Sequence, residues 1–196
     1  MEETLAVACA YLMGSVPFAF LLARRRGIDL REAGSGNVGA TNVLRTAGVA
    51  RAVLAMCLDG VKGAVAVFIA QRLTAGSGAP VAAGLASIIG HLYPPWLGFR
   101  GGKGVATAAG VFSILAPVAT MIAGAAFLVS VWISRYISVG SLAGSLTLAV
   151  AAAATDAPAA VLVGSIVAAL IIVLRHRANL ARIVAGTERR VGQRLF

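Results

Sequence analysis

Residues 4–23 read TLAVACAYLMGSVPFAFLLA, an apolar stretch without a single charged side chain. Its length matches the roughly 20 residues that a helix needs to cross a bilayer core. Glu2 and Glu3 precede the stretch, and three arginines follow it at positions 24–26. A cleavable signal peptide carries its positive charge on the other side. The stretch is therefore predicted to be the first membrane-spanning helix, with the N-terminus outside and the arginines in the cytoplasm.

The composition of the remaining chain extends this prediction. Of the 196 residues, 59% are hydrophobic and only 12% are charged, whereas a soluble domain carries about 25% charged residues. Further apolar stretches cover residues 46–73, 80–99, 104–133, 138–154 and 157–174. The predicted fold class is all-α, a polytopic bundle of membrane helices in which residues 1–196 form one integral membrane domain.

The number of spans depends on residues 104–133, which are too long for one comfortable helix and contain Pro117 near their middle. Read as one span, they leave the basic C-terminal tail outside the cell. Read as two spans that turn near Pro117, they bring every strongly basic loop to one side, as cytoplasmic loops require. The second interpretation predicts about seven transmembrane helices, with the N-terminus out and the C-terminus in. A five-span version with partly inserted segments stays open.

The net charge of +10, from 17 lysines and arginines against 7 acidic residues, raises nucleic acid as a partner. The basic residues cluster instead at the ends of apolar stretches, where cytoplasmic loops meet anionic headgroups. Membrane lipid is therefore the predicted partner, and no nucleic acid is expected. Cys9 and Cys57 lie within apolar stretches without metal-ligand spacing, so they are predicted to be buried free thiols.

A polar loop, GSGNVGATN at residues 34–42, interrupts this apolar background. Its three glycines let several main-chain N–H groups converge on one point, which favours an anion. Side-chain donors are also present, and Arg45 adds a positive charge just downstream. The loop is predicted to bind a phosphate, and its members are Gly34, Ser35, Gly36, Asn37, Val38, Gly39, Ala40, Thr41 and Asn42.

A second glycine-rich segment, GGKG at residues 101–104, invites comparison with a nucleotide-binding P-loop. That motif requires a glycine at position 97 and a serine or threonine after the lysine, but the chain has Leu97 and Gly104. What remains is a group of N–H donors and the Lys103 ammonium at the start of a helix, which suits a phosphate. The alternative, a lysine that anchors a helix end at the membrane interface, stays open.

In the basic tail, His176, Asn179 and Arg182 recur every three residues and would share one face of a helix. That face offers an imidazole, an amide and a guanidinium, with Glu188 as a partner for an arginine or histidine. The alternative is a solvated tail that binds anionic lipid, with Glu188 as a surface charge. Hydroxyls at an inner helix end, Ser138 and Ser141, are interpreted as helix caps.

Three further polar residues lie inside apolar stretches. Asp59 and Lys62 are three positions apart, and a mutual ion pair is predicted because an unpaired charge in a membrane is costly. His91 is interpreted as a hydrogen-bonded packing residue. Small residues at four-residue spacing predict close contacts between helix backbones; they are Ala82, Ala86 and Gly90 in one stretch, and Gly140 and Gly144 in another.

Taken together, three segments resemble the signature motifs of one family, the bacterial acyl-phosphate:glycerol-3-phosphate acyltransferases, or PlsY family. The segments are GSGNVGATNVLR at residues 34–45, GGKGVAT at 101–107 and HRANLARIVAGTE at 176–188. The chain length, apolar character and motif order are also similar, and so is the DGVKG stretch that begins at Asp59.

The resemblance implies an enzyme that moves a fatty acyl group from acyl phosphate to the 1-hydroxyl of glycerol 3-phosphate. The products would be lysophosphatidic acid and inorganic phosphate, in the first step of bacterial phospholipid synthesis. Because acyl phosphate is already activated, no metal or cofactor is expected. The resemblance also implies a multi-pass protein of the bacterial inner membrane with its active site facing the cytoplasm, expected to be a monomer.

Residue roles follow from the same resemblance. Residues 34–42 would bind the acyl phosphate, and a second set would bind glycerol 3-phosphate: Arg45, Lys103, Ser141, His176, Asn179, Arg182 and Glu188. The expected catalytic residues are His176, Ser35, Arg45, Lys103 and Asn179. Either His176 or a phosphate oxygen of the substrate could accept the hydroxyl proton, and both alternatives stay open.

Two other classes of function remain alternatives. A transporter or binding protein for a phosphorylated solute could use the same anion-binding residues, but it needs a path to both faces of the membrane. A CDP-alcohol phosphotransferase needs an array of metal-binding aspartates. Asp29, Asp59 and Asp156 are scattered over different segments, which argues against the second alternative.

Overall fold

The structure, a computed structural model, describes residues 1–193. Within them the chain is helical, apart from turns and two longer connections at residues 25–39 and 98–104. The helices are α1 (Glu2–Ser15), α2 (Phe18–Arg24), α3 (Ala40–Thr46), α4 (Val49–Leu73), α5 (Gly78–Leu92), a 3₁₀-helix (Pro95–Leu97), α6 (Val105–Leu115), α7 (Pro117–Ser134), α8 (Ile137–Ala154), α9 (Ala159–Arg175) and α10 (Arg177–Val184). The predicted all-helical fold class is confirmed.

Several of these helices have the length and composition of membrane spans. Four segments of the described chain qualify: α1 with α2 as one segment, α4, α7 and α8. The pair α9 and α10, bent by 52°, could provide a fifth, while α6 is apolar but has only 11 residues. Large apolar side chains such as Leu128 and Trp132 are exposed, as expected for helices that contact lipid rather than water.

The predicted break near Pro117 is confirmed. Helix α6 ends at Leu115, α7 begins at Pro117, and Ala116 between them has an extended φ of −149°. Proline lacks the N–H that a helix interior requires, but it fits the first turn of a new helix. The chain also divides here into two compact units, residues 1–114 and the residues from Leu115 onward.

Glycines bring the helices of the first unit into backbone contact. Gly14 of α1 lies against the main chain of Ser87 in α5, and Gly90 of α5 lies against the main chain of Tyr11 and Ser15. Helices α4 and α6 make a similar contact through Gly60 and Gly110. A side chain at Gly14, Gly90 or Gly110 would overlap backbone atoms. The close packing predicted for Gly90 is therefore confirmed.

In the second unit, α7 packs along α8. Gly140 and Gly144 of α8 lie against Phe127 and Ala123 of α7, as the small-residue spacing predicted. The tail after α10 is hydrogen-bonded to the turn between α7 and α8. The Val191 N–H donates to the carbonyl oxygen of Arg135 at 2.7 Å.

Two predictions about polar groups within the apolar helices are also confirmed. The Lys62 ammonium lies 2.8 Å from Oδ1 of Asp59, and both side chains are almost completely buried. His91 is hydrogen-bonded as expected, with Nδ1 at 3.0 Å from the Lys62 Nζ.

The predicted burial of the cysteines is wrong. Cys9 on α1 and Cys57 on α4 are free thiols, as expected, but both are exposed. When a helix is apolar all round, sequence alone does not distinguish the side that contacts lipid from the side that contacts protein.

Candidate active site

A turn at residues 29–32 precedes the polar loop, and Asp29 organises it. Asp29 accepts hydrogen bonds from the Arg31 main-chain N–H and Nε, both at 3.0 Å, and from the Arg31 terminal nitrogen at 2.6 Å. Arg24 at the end of α2 adds a contact of 3.1 Å. The hydrogen bonds from Arg31 lower the pKa of Asp29 to about 2, so it remains a carboxylate at neutral pH.

Asn42 holds the underside of the loop. Its Nδ2 donates to the carbonyl oxygens of Leu30 at 3.1 Å and Ala33 at 2.9 Å. Its Oδ1 accepts the Ser35 N–H at 2.9 Å, and the residue is only 1% exposed. Both amide hydrogens are therefore bonded to main-chain oxygens, and Asn42 fixes the loop conformation from below.

Glycine is required at two positions of this loop. Gly34 and Gly36 have φ angles of +65° and +72°, in the left-handed region that favours glycine. A side chain at Gly34 would also overlap the amide of Asn42. The loop therefore forms an exposed turn that carries Ser35 at the surface, above the hydrogen bonds of Asn42.

The remaining residues of the loop lead into α3. Val38 is buried at 4% exposure, whereas Asn37 and Thr41 are half-buried. Gly39 and Ala40 are also half-buried at the start of the helix. Thr41 and Arg45 are four positions apart on α3 and so share its face.

The second glycine-rich segment packs onto the end of α5. The N–H of Gly101 donates to the Leu92 carbonyl at 2.9 Å, and the N–H of Gly102 donates to the His91 carbonyl at 3.1 Å. A side chain on Gly101 would overlap the His91 carbonyl, and one on Gly102 would overlap the His91 ring. Lys103 follows as a half-buried residue just before α6.

In the second unit, His176 occupies the corner between α9 and α10. It is 2% exposed, and its Nδ1 lies 2.8 Å from the Ile172 carbonyl oxygen. A carbonyl oxygen only accepts hydrogen bonds, so Nδ1 carries the hydrogen. In the neutral ring Nε2 is therefore the nitrogen without a hydrogen.

Glu188 organises the rest of the third motif. It is 6% exposed, and its Oε1 accepts hydrogen bonds from Asn179 Nδ2 at 2.7 Å and from Ser138 Oγ at 3.3 Å. Its Oε2 accepts a hydrogen bond from Arg182 Nε at 2.7 Å. The interpretation of Glu188 as a partner for an arginine is confirmed, and its interpretation as a surface charge is wrong.

The hydroxyls of α8 differ in role. Ser141 donates to the Ile137 carbonyl of its own helix at 2.9 Å and is 4% exposed. Ser138 instead bonds Glu188, a contact that sequence reasoning missed because the residues are 50 positions apart. Tyr136 was also missed; its hydroxyl lies 3.1 Å from Arg190 Nε.

The predicted site residues fall into two groups, one in each unit. Residues 34–42, Arg45 and Lys103 belong to the first unit, whereas Ser141, His176, Asn179, Arg182 and Glu188 belong to the second. Within the second group, hydrogen bonds join Asn179 and Arg182 through Glu188.

The part of the chain that carries these polar segments matches a known protein family. A family model described as glycerol-3-phosphate acyltransferase matches residues 4–186, which include the first two motifs and residues 176–186 of the third. The chain belongs to the glycerol-3-phosphate acyltransferase family.

Full-length members of the glycerol-3-phosphate acyltransferase family are similar to the chain. The glycerol-3-phosphate acyltransferase of Anaeromyxobacter sp. strain K is 43% identical over 193 residues, which cover 95% of this chain and 96% of that protein. The one from Symbiobacterium thermophilum is 44% identical over 193 residues, with coverage of 98% and 96%. The resemblance inferred from the motifs is confirmed.

Solved structures from the same family agree. A crystal structure of PlsY (YgiH), an integral membrane glycerol 3-phosphate acyltransferase in its glycerol 3-phosphate form, has a TM-score of 0.94 at 38% identity. The matched region covers 98% of this chain and 96% of the PlsY chain. The lysophosphatidic acid form of PlsY (YgiH) gives a TM-score of 0.92 at 37% identity.

The loop geometry gives a first prediction for this family member. Asn42→Asp keeps the side-chain shape but removes both donors and sets a carboxylate against the carbonyl oxygens of Leu30 and Ala33. Because buried polar groups would lose their partners, we expect the free energy of unfolding to fall by about 1–3 kcal/mol. Turnover should fall with it, and both are measured on detergent-solubilised protein by thermal unfolding and product formation.

Gln71→Glu is the matched control, since it makes the same chemical change at an exposed position of α4. It should leave both quantities unchanged. Wild-type stability and turnover in Asn42→Asp would show that the amide hydrogens do not hold the loop.

Proposed function

We propose that the chain transfers a fatty acyl group from acyl phosphate to the 1-hydroxyl of glycerol 3-phosphate. The products are lysophosphatidic acid (1-acyl-glycerol 3-phosphate) and inorganic phosphate. The match of the glycerol-3-phosphate acyltransferase family across residues 4–186 carries this proposal. The two PlsY structures, in glycerol 3-phosphate and lysophosphatidic acid forms, add support because these ligands are an acceptor and a product of the reaction.

In this proposal the polar loop binds the acyl phosphate. The exposed turn at Ser35 and Gly36 offers main-chain N–H groups and a hydroxyl, and Asn37 and Thr41 add side-chain donors. Hydrogen bonds to an anion are about twice as strong as neutral ones, so a few donors suffice. Asn42 contributes through the loop shape, because its own amide hydrogens are bonded to Leu30 and Ala33.

The glycerol 3-phosphate is assigned to cationic and polar residues. Arg45 and Lys103 supply positive charge for its phosphate. In the second unit, Glu188 fixes the Asn179 amide and the Arg182 guanidinium in one orientation. Ser141 donates its own hydrogen to Ile137, so its oxygen is suited to accept a hydrogen bond from a glycerol hydroxyl.

The reaction needs no metal or cofactor in this proposal. The 1-hydroxyl oxygen bonds to the acyl carbonyl carbon, and the bond from that carbon to the phosphate oxygen breaks as phosphate leaves. The hydroxyl proton passes to a phosphate oxygen, while His176 orients the acceptor. Holding the reactants together and stabilising the developing oxyanion account for most of the acceleration.

A direct assay tests the activity. Purified protein in detergent is given glycerol 3-phosphate with either acyl phosphate or acyl-CoA, and both lipid product and released phosphate are measured. Equal amounts of lysophosphatidic acid and phosphate are expected from acyl phosphate only. Lack of product, or product from acyl-CoA alone, would overturn the proposal and leave a binding or transport protein for a phosphorylated solute as the alternative.

The cationic residues give a residue-level prediction. Arg45→Ala and Lys103→Ala should each raise the KM for glycerol 3-phosphate by about 10- to 100-fold, the loss of a hydrogen bond to a charged group. Steady-state kinetics with varied glycerol 3-phosphate measures this effect. Arg72→Ala is the control, since that arginine stacks on Phe68 at the end of α4 and belongs to no motif. A KM unchanged in both test variants would refute the assignment.

The role of His176 is tested separately. Gln approximates the position of Nε2 but does not act as a base near neutral pH, so His176→Gln separates orientation from proton transfer. We expect most of the turnover to remain at every pH from 6 to 9. A loss of roughly 10²–10⁴-fold, the usual contribution of a general base, would instead assign the proton to His176.

We further propose a monomer with seven spans in the bacterial inner membrane, the N-terminus out, and the C-terminus and active site on the cytoplasmic side. The absence of lysine and arginine from residues 74–79 and 155–157 supports this orientation. In a Cys9→Ala/Cys57→Ala background, Ser77→Cys should react with an impermeant maleimide in intact cells. Gln193→Cys should react only after permeabilisation, and the reverse pattern would overturn the orientation.

A further inference from the structure

A buried charged cluster lies beside the glycine turn that carries Lys103. Its members are Asp59 and Lys62 on α4 and His91 on α5, all within the first unit. Their side chains are 2%, 4% and 9% exposed. None of them belongs to the three motifs, and the proposed reaction gives none of them a role. Charged groups buried in a membrane protein are costly, which raises the question of what this cluster does.

Lys62 makes two hydrogen bonds and one ion pair in this buried cluster. Its Nζ lies 2.8 Å from Asp59 Oδ1, 2.8 Å from the Val16 carbonyl oxygen and 3.0 Å from His91 Nδ1. An ammonium has hydrogens to donate and no lone pair, so Lys62 donates to the Val16 carbonyl and to the His91 ring, and Asp59 balances its charge. The Val16 carbonyl lies at the break between α1 and α2, where helical hydrogen bonding is interrupted.

This arrangement determines the hydrogen positions on His91. Because Lys62 only donates, Nδ1 of His91 must accept, and the neutral ring then carries its hydrogen on Nε2. Asp59 Oδ1 is also near Nδ1, but at 3.5 Å it is farther than the Lys62 ammonium. Lys62 therefore selects one tautomer of the histidine, and Asp59 holds Lys62 in place.

The opposite edge of the His91 ring faces the glycine turn. Nε2 is the atom that a Cβ on Gly102 would meet first, and the His91 carbonyl accepts the Gly102 N–H at 3.1 Å. One small cavity is lined by Lys62, His91 and Gly102 and by Val38 of the polar loop. The cluster thus touches the segment that leads directly to Lys103.

We propose that Asp59, Lys62 and His91 are positioning residues that set the Gly101–Gly102 turn, and with it the Lys103 ammonium, for the phosphate of glycerol 3-phosphate. The proposal rests on the assignment of Lys103 to that substrate. Lys62 fixes the tautomer and orientation of the ring, the ring supports the main chain at Gly102, and the turn places Lys103. A purely structural ion pair would stabilise α4 and α5 without affecting one substrate more than the other.

The first test is independent of any substrate. The chain has two histidines, so ¹⁵N-histidine labelling gives two rings, and His176→Gln identifies the His91 signals. The neutral His91 ring should show a hydrogen on Nε2 and a bare Nδ1. In Lys62→Met, Nδ1 should gain the hydrogen and donate to Asp59. A wild-type ring with its hydrogen on Nδ1, or an unaltered tautomer in Lys62→Met, would overturn the proposal even if the acyltransferase activity is established.

The second test separates substrate positioning from stability. His91→Asn keeps an acceptor for Lys62 at the place of Nδ1 but removes the ring edge beside Gly102. We expect the KM for glycerol 3-phosphate to rise about tenfold. The KM for acyl phosphate should stay within about twofold of wild type, and the thermal midpoint within a few degrees. Ser87→Ala, a buried change one turn earlier on α5, should alter neither KM. Unchanged KM values, or equal increases for both substrates, would contradict the proposal.

A double variant tests the contact itself. Gly102→Ala places a methyl group against the His91 ring and should raise the KM for glycerol 3-phosphate. In His91→Asn/Gly102→Ala the shorter side chain leaves room for that methyl, so the combined increase should be clearly smaller than the product of the two single increases. Independent effects that multiply would show that His91 does not act through Gly102, whatever the activity of the wild-type enzyme.

Discussion

The scarcity of water around an apolar helix bundle is the constraint on which this structure depends. Each polar group inside must find its partner within the protein, because hydrocarbon offers none. Lys62 illustrates this requirement, since it donates hydrogen bonds to Val16 and His91 and its charge is paired with Asp59. The two glycine-rich segments proposed to bind phosphate lie in connections between helices, where the main chain is free to form loops.

The same constraint explains how the loops are built. Asn42 uses its whole amide to satisfy main-chain groups at Leu30, Ala33 and Ser35, and Glu188 collects donors from Ser138, Asn179 and Arg182. In each case one buried side chain does what a sheet or a longer helix would do in a soluble protein. Neighbouring exposed residues are then held in place by these buried side chains, as Ser35 is by the hydrogen bond from its main-chain N–H to Asn42.

Much of this arrangement could be predicted from the sequence, because its causes are local. Pro117 ends one helix and begins another through the chemistry of its own ring, and Asp59 and Lys62 pair because they are one helical turn apart. The bond from Ser138 to Glu188 depends on tertiary folding over 50 positions, so no local pattern indicates it. Asn42 shows a different limit. The sequence identifies its side-chain amide as a hydrogen-bond donor, but only the structure shows that the carbonyl oxygens of Leu30 and Ala33 accept its hydrogens.

The contact between His91 and Gly102 has an evolutionary consequence. The glycine at position 102 is required by the size of the ring beside it, and not by a left-handed backbone angle, since Gly102 is absent from the residues with positive φ. Positions 91 and 102 should therefore covary across the family. A lineage that acquires a smaller residue at 91 can accept alanine at 102, whereas a lineage that retains the imidazole is restricted to glycine there.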